Sequence, residues 1–203
     1  MDRTDLTIAL AGAGILTIAI AGSALTGATQ TAEGLFLVGF ESRDSLFSEQ
    51  ATAIMASGET TFDVRLDIPN TTSLTFVVRV SAFSPHVATD DILVTVKAPN
   101  GTEMTATAKP TAPVLTGTPV VATLAIEVPL GVVPADGERR ATDADAALRD
   151  ADTGNATAGH GTWLVAVRVT HGGPDPTARH PVALESTATS YVGRATPSAA
   201  GAK

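Results

Sequence analysis

From residue 62 onward, rows of apolar residues on every second position dominate this chain. Phe62, Val64, Leu66 and Ile68 alternate with Asp63, Arg65 and Asp67; past Pro69-Asn70, Leu74, Phe76, Val78 and Val80 alternate with Thr75 and Arg79. Successive side chains of an extended chain point to opposite faces, so each run is a half-buried strand with one face toward a core. A helical period would scatter the same residues around an axis.

The pattern returns in Ile92, Val94 and Val96, which lead into Pro99-Asn100-Gly101. Asn-Gly is a strong hairpin signal, and Met104 to Ala108 supply the returning strand. Val120, Ala122, Leu124, Ile126 and Val128 form a further row, followed by Trp163, Val165, Val167 and Val169, and by Val182 and Leu184. With residues 49–56 leading into Ser57-Gly58-Glu59, about eight short strands are punctuated by Gly, Pro and Asn. The predicted fold is all-β: a jelly-roll-like β-sandwich of about eight strands, preceded by one N-terminal transmembrane helix.

Composition agrees and excludes several classes. Charged residues are 17% and aromatics 4%, which suits thin sheets better than a charged helical bundle. A length of 203 residues allows one ordinary domain plus an anchor. The net charge of -8 repels nucleic-acid backbones, so no nucleic-acid partner is expected. No cysteine is present, which removes disulfides, thiolate metal sites and cysteine nucleophiles.

The anchor is residues 6–25, an uncharged run whose helix would be about 30 Å long, the thickness of a bilayer's hydrocarbon core. Small residues near 21–24 also resemble a signal-cleavage site. The leader MDRTD lacks a basic cluster and the run outlasts a usual signal core, so an uncleaved signal anchor is the expectation. Ala9, Ala13, Thr17 and Ala21 recur every four residues and would form a smooth ridge of the kind that packs membrane helices, although any Ala-rich helix produces such ridges. The expected organisation is an anchor over 1–28, a membrane-proximal linker over 29–48 in which Leu35 to Phe40 could be a strand or an extension of the anchor, a sandwich over 49–192 with an acidic insertion at 136–161, and a flexible tail over 193–203.

Sidedness follows from the three asparagines, each of which begins a sequon: Asn70-Thr71-Thr72, Asn100-Gly101-Thr102 and Asn155-Ala156-Thr157. Thr and Ser make up roughly a fifth of the chain, so independent placement gives three hits in three about once in a hundred. Asn, Gly and Thr also cluster in turns for conformational reasons. Anchor and sequons together predict a single-pass, N-glycosylated cell-surface protein with its C-terminal domain extracytoplasmic, and suggest an archaeal envelope.

Asp90 and Asp91, the strand ending at Pro99 and Gly101, and the later Gly161-Thr162-Trp163 carry a resemblance. Over roughly residues 49–192 the chain resembles the secreted jelly-roll modules of the bacterial pre-peptidase C-terminal domain and the proprotein-convertase P domain. The resemblance implies a sandwich of mostly non-catalytic, accessory type. It departs from that pattern in having no attached peptidase and in carrying an N-terminal anchor.

Candidate chemistry is sparse. Asp143, Asp145, Asp150 and Asp152 offer oxygen ligands for calcium, and Asp90 and Asp91 offer a second weak set. Asp150-Ala151-Asp152-Thr153-Gly154 departs from an EF-hand, with glycine where a ligand belongs and Gly161 where Glu is needed; the plain alternative is a short solvated helix or acidic loop. His86, His160, His171 and His180 are expected in turns or at strand ends. A continuous strand from Gly161 to Thr170 holds His160 and His171 more than roughly 30 Å apart, too far to share a metal or proton. Metalloprotease, nucleophile-elbow and Walker patterns do not occur. The expectation is a non-enzyme with no cofactor beyond calcium, acting as a binding or structural component of the envelope through its membrane helix and protein partners. The alternatives are an accessory subunit of a membrane or surface-filament assembly, archaellum-stator-like or transporter-associated, and, less favoured, a secreted hydrolase or binding module.

Overall fold

The alternating rows are strands in the computed structural model, which describes residues 33–82, 91–108, 120–152, 154, 156–172 and 177–199. In chain order they are β1 (Gly34–Met55), β2 (Gly58–Leu66), β3 (Thr71–Ala82), β4 (Asp91–Lys97), β5 (Glu103–Ala108), β6 (Val120–Pro129), β7 (Gly137–Ala141), β8 (Gly161–Thr170) and β9 (Arg179–Pro197), with one helix, α1 (Ala144–Ala151), between β7 and β8. The fold is all-β, built from two antiparallel sheets ordered β6-β3-β9-β1-β7 and β2-β8-β4-β5.

Those orders follow from one nested pairing. β1 pairs with β9, β2 with β8, β3 with β6 and β4 with β5, as in a single long hairpin whose tip is the β4–β5 turn. Rolling that hairpin up adds β3 beside β9 and β4 beside β8, which is the jelly-roll arrangement. β7 lies outside the nest and extends the β1 edge, from Gly34 opposite Ala141 to Val38 opposite Gly137.

The inward rows meet as the core. Val64, Leu66, Leu74, Phe76, Val78, Val94, Val96, Val165, Val167 and Leu184 are buried, and each side chain of this size contributes about 1.5–3 kcal/mol by leaving water. Trp163, 1% exposed, packs at a tilt against Phe76 with ring centroids 5.7 Å apart. Its indole Nε1 donates to the Gly159 carbonyl at 2.9 Å, so the one polar atom of the ring is satisfied in the core.

Strand structure runs further than the periodicity indicated. β1 begins at Gly34, inside the segment expected to be linker, and β9 continues to Pro197, inside the expected tail. The two strands keep one antiparallel register from Phe36–Pro197 to Met55–Arg179, broken by a bulge between Leu46 and Ser48. Past the start of β3, which pairs with β9 at Thr71–Ser190, β1 and β9 project as an extension from Arg43 back to Gly34. At about 3.3 Å per residue this is roughly 30 Å of strand. One face of it is covered by α1: Val38, Ala141, Ala147 and Ala151 form a second small core with Phe36, Phe40 and Leu148.

Among the described residues no helix is long and apolar enough to cross a membrane. The uncharged run 6–25, with Ala9, Ala13, Thr17 and Ala21, lies outside them.

Candidate functional site

Antiparallel order gives the sandwich two distinct ends. β1, β3, β5 and β8 run away from the end where Gly34 lies, and their neighbours return to it. The β2–β3 and β4–β5 turns therefore share the Gly34 end, while the β1–β2 turn and the β8–β9 connection lie at the far end.

Two sequons sit at the Gly34 end. Asn100 is exposed at the tip of the β4–β5 hairpin, and its Oδ1 accepts from the Thr102 backbone N–H at 3.0 Å, an Asx turn made by the sequon itself. Asn70 occupies a left-handed turn position with φ +56° and is half-buried. Its backbone is held on both sides, the N–H by the Ala156 carbonyl at 3.4 Å and the carbonyl by the Tyr191 N–H at 3.2 Å. Asn155 lies outside the described residues. Of the two described acceptors, Asn100 is the more open.

The acidic insertion is built as a brace. Asp143 caps α1, its Oδ1 accepting from the Ala146 N–H at 2.7 Å, and Asp145 lies in the first turn, where the helix dipole favours a carboxylate. Asp150 faces Arg139 at 3.7 Å. Asp152 accepts from the Tyr191 hydroxyl at 2.8 Å and from the Gly154 N–H at 3.1 Å, tying the end of α1 to β9. Asp136, just before β7, accepts from the Phe40 N–H at 2.8 Å. The four aspartates singled out for calcium thus face protein partners or the helix dipole. Among the described residues no three His, Asp or Glu side chains come together as a metal-sized group. Asp91 is exposed at the start of β4, at the far end from this insertion, and Asp90 lies outside the described residues.

The histidines divide between the ends. His160, ahead of β8, donates from Nε2 to the Ile68 carbonyl at 2.9 Å and so pins the β2–β3 turn. His171, beyond β8, is separated from it by the whole strand. What sequence reading missed is that His171 meets His180: the rings lie 5.5 Å apart, tilted by 55°. The signal was present, because 171 extends the inward row 163, 165, 167, 169, and 180 extends the inward row 182, 184. His86 lies outside the described residues.

The far end also carries a cavity of about 610 Å³, lined by Asp91, Ile92, Leu93, Thr107, Ala108, Arg168 and Thr170. Its size suits a small ligand, and its charged groups, Asp91 and Arg168, are of opposite sign. A smaller cleft of about 340 Å³ lies on the β1–β9 extension, where Leu37, Glu41, Val192, Arg194 and Asp136 meet.

No protein-family model and no curated protein matches the sequence. Among solved structures, the chain is similar to the VP2 subviral particle of infectious bursal disease virus at 11% identity and TM-score 0.34, over 78% of this chain and 41% of that one. It is also similar to the Gt strain structure of the same virus at 14% identity and TM-score 0.28, over 79% and 43% of the two chains. The T13 viral particle matches at 14% identity and TM-score 0.25, over 80% and 41%. The chain spans about two-fifths of the length of these structures.

Proposed function

We propose that the protein is a non-catalytic, membrane-anchored cell-surface sandwich that serves as a binding or structural component of the cell envelope. The observation that carries this reading is the exposed Asn100-Gly101-Thr102 sequon at the tip of a hairpin, in a sandwich whose first strand starts only residues 26–33 after an uncharged, membrane-length run. The β1–β9 extension is compatible with it: roughly 30 Å of paired strand separates the Asn70 turn from Gly34, where the described chain begins to be strand. The resemblance to pre-peptidase C-terminal and P-domain modules bears on architecture and on an accessory, non-catalytic role.

The test is sidedness on whole cells. With an epitope at the C-terminus, protease added to intact cells removes the epitope while a cytoplasmic marker stays whole. An epitope that becomes protease-sensitive only after lysis would overturn the reading.

A second reading, an accessory subunit of a membrane or surface-filament assembly, is favoured by one feature. Leu37 and Val192, 54% and 42% exposed, share one face of the extension, opposite the face covered by α1.

A further inference from the structure

The far end of the sandwich closes on a pair of imidazoles, and from this pair we infer a binding site for a divalent transition-metal ion of the zinc type, held between His171 and His180. Both residues continue inward-facing rows, one from each sheet, so their rings meet across the end of the interlayer core. His180 is 1% exposed, whereas His171 is half-buried and opens toward solvent. An ion would be reached from the His171 side, with water completing the coordination.

The spacing fits this role. A zinc ion about 2.1 Å from one nitrogen of each ring, with a tetrahedral angle between them, sets the two ring centroids about 5 Å apart. The observed separation is 5.5 Å, with the planes tilted rather than stacked. Both rings sit on backbone that is already tied down. The His171 N–H donates to Ser57 Oγ at 2.9 Å, the Ala56 N–H donates to the Ala178 carbonyl at 2.7 Å, and His180 is in register with Ile54 of β1. Holding ligands on rigid elements reduces the ordering cost of binding. Imidazole selects borderline ions such as zinc, nickel and copper(II) over calcium and magnesium, which prefer oxygen. The site is unrelated to the acidic insertion, which lies at the other end of the molecule.

The experiment is equilibrium dialysis of the detergent-solubilised full chain against zinc chloride, with protein-bound zinc quantified. The wild type takes up one zinc per chain at neutral pH. His171→Gln weakens uptake by more than about tenfold, since losing a direct ligand exceeds the loss known for outer-shell partners. His160→Ala leaves uptake unchanged, and excess calcium does not compete. Copper(II) on the wild type gives an independent reading: electron paramagnetic resonance showing coupling to two imidazole nitrogens supports the site even if the variant folds poorly. A wild type that takes up no zinc in this dialysis would overturn the inference. So would a His171→Gln variant that binds as tightly as the wild type, or a copper spectrum without nitrogen coupling.

Discussion

Gly159 and Gly101 both hold left-handed backbone, at φ +72° and +88°, but in different surroundings. A Cβ on Gly101 meets nothing within 4 Å, whereas one on Gly159 falls 2.5 Å from Leu130 Cδ1, and Gly159 also accepts the Trp163 indole hydrogen bond. Gly101→Ala therefore bears the backbone cost alone, about 1 kcal/mol. Gly159→Ala adds displacement of Leu130 and of the Trp163 partner, and is expected to lose about 2–4 kcal/mol. Denaturant unfolding of the two variants side by side checks this; equal losses would mean that the Gly159 carbonyl and its packing contribute little. At this scale the sequence was readable wherever a residue's role is local. Trp163 announced itself as a core residue by its parity, and Asn100-Gly101 announced a hairpin. Asp152 and His180 did not, because their partners, Tyr191 and His171, are brought to them only by the fold.

Among the elements, those with apolar residues on one face and polar residues on the other were legible to within a few residues, β2, β3, β4, β6 and β8 most clearly. In the first half of β1 only Leu35 to Phe40 offered a strand, as one of two readings, and the stretch after it did not. Glu41, Ser42, Arg43 and Asp44 are exposed on both faces of the extension, so no alternation marks them; only the continuous pairing with β9 makes them strand. β7 was hidden for the same reason, since Gly-Glu-Arg-Arg-Ala has no apolar row and becomes a strand by pairing with β1. Charges and the bulge at Leu46/Ser48 also blunt the β1 edge against unwanted strand pairing. The uncovered face bearing Leu37 and Val192 is a different matter. If it seats a partner, Leu37→Asp combined with Val192→Asp leaves the fold intact, because both side chains are already exposed, and shifts the protein extracted in mild detergent to a smaller native size. An unchanged native size in that double variant would contradict the accessory-subunit reading.

For the molecule as a whole, strand number and spacing made the jelly-roll class readable, while the nested pairing that defines it could be seen only in the structure. The same topology sorts the chemistry by end. The open sequon Asn100 and the acidic brace share the Gly34 end, and the cavity between Asp91 and Arg168 lies with the histidine pair at the other. None of that sorting is local in sequence: His160 and His171 are close along the chain and lie at opposite ends, whereas Asn70 and Asn100 are far apart along the chain and lie at the same end. An anchored, outward-facing sandwich would keep the run 6–25 on the mature chain and carry glycan on the open sequon at Asn100. The intact mass of the native protein tests this most directly. The account predicts a mass that includes the uncharged run 6–25 and exceeds the polypeptide by glycan, with the excess reduced in Asn100→Gln. A native mass equal to the bare full-length polypeptide, or to a chain that begins after residue 25, would contradict it.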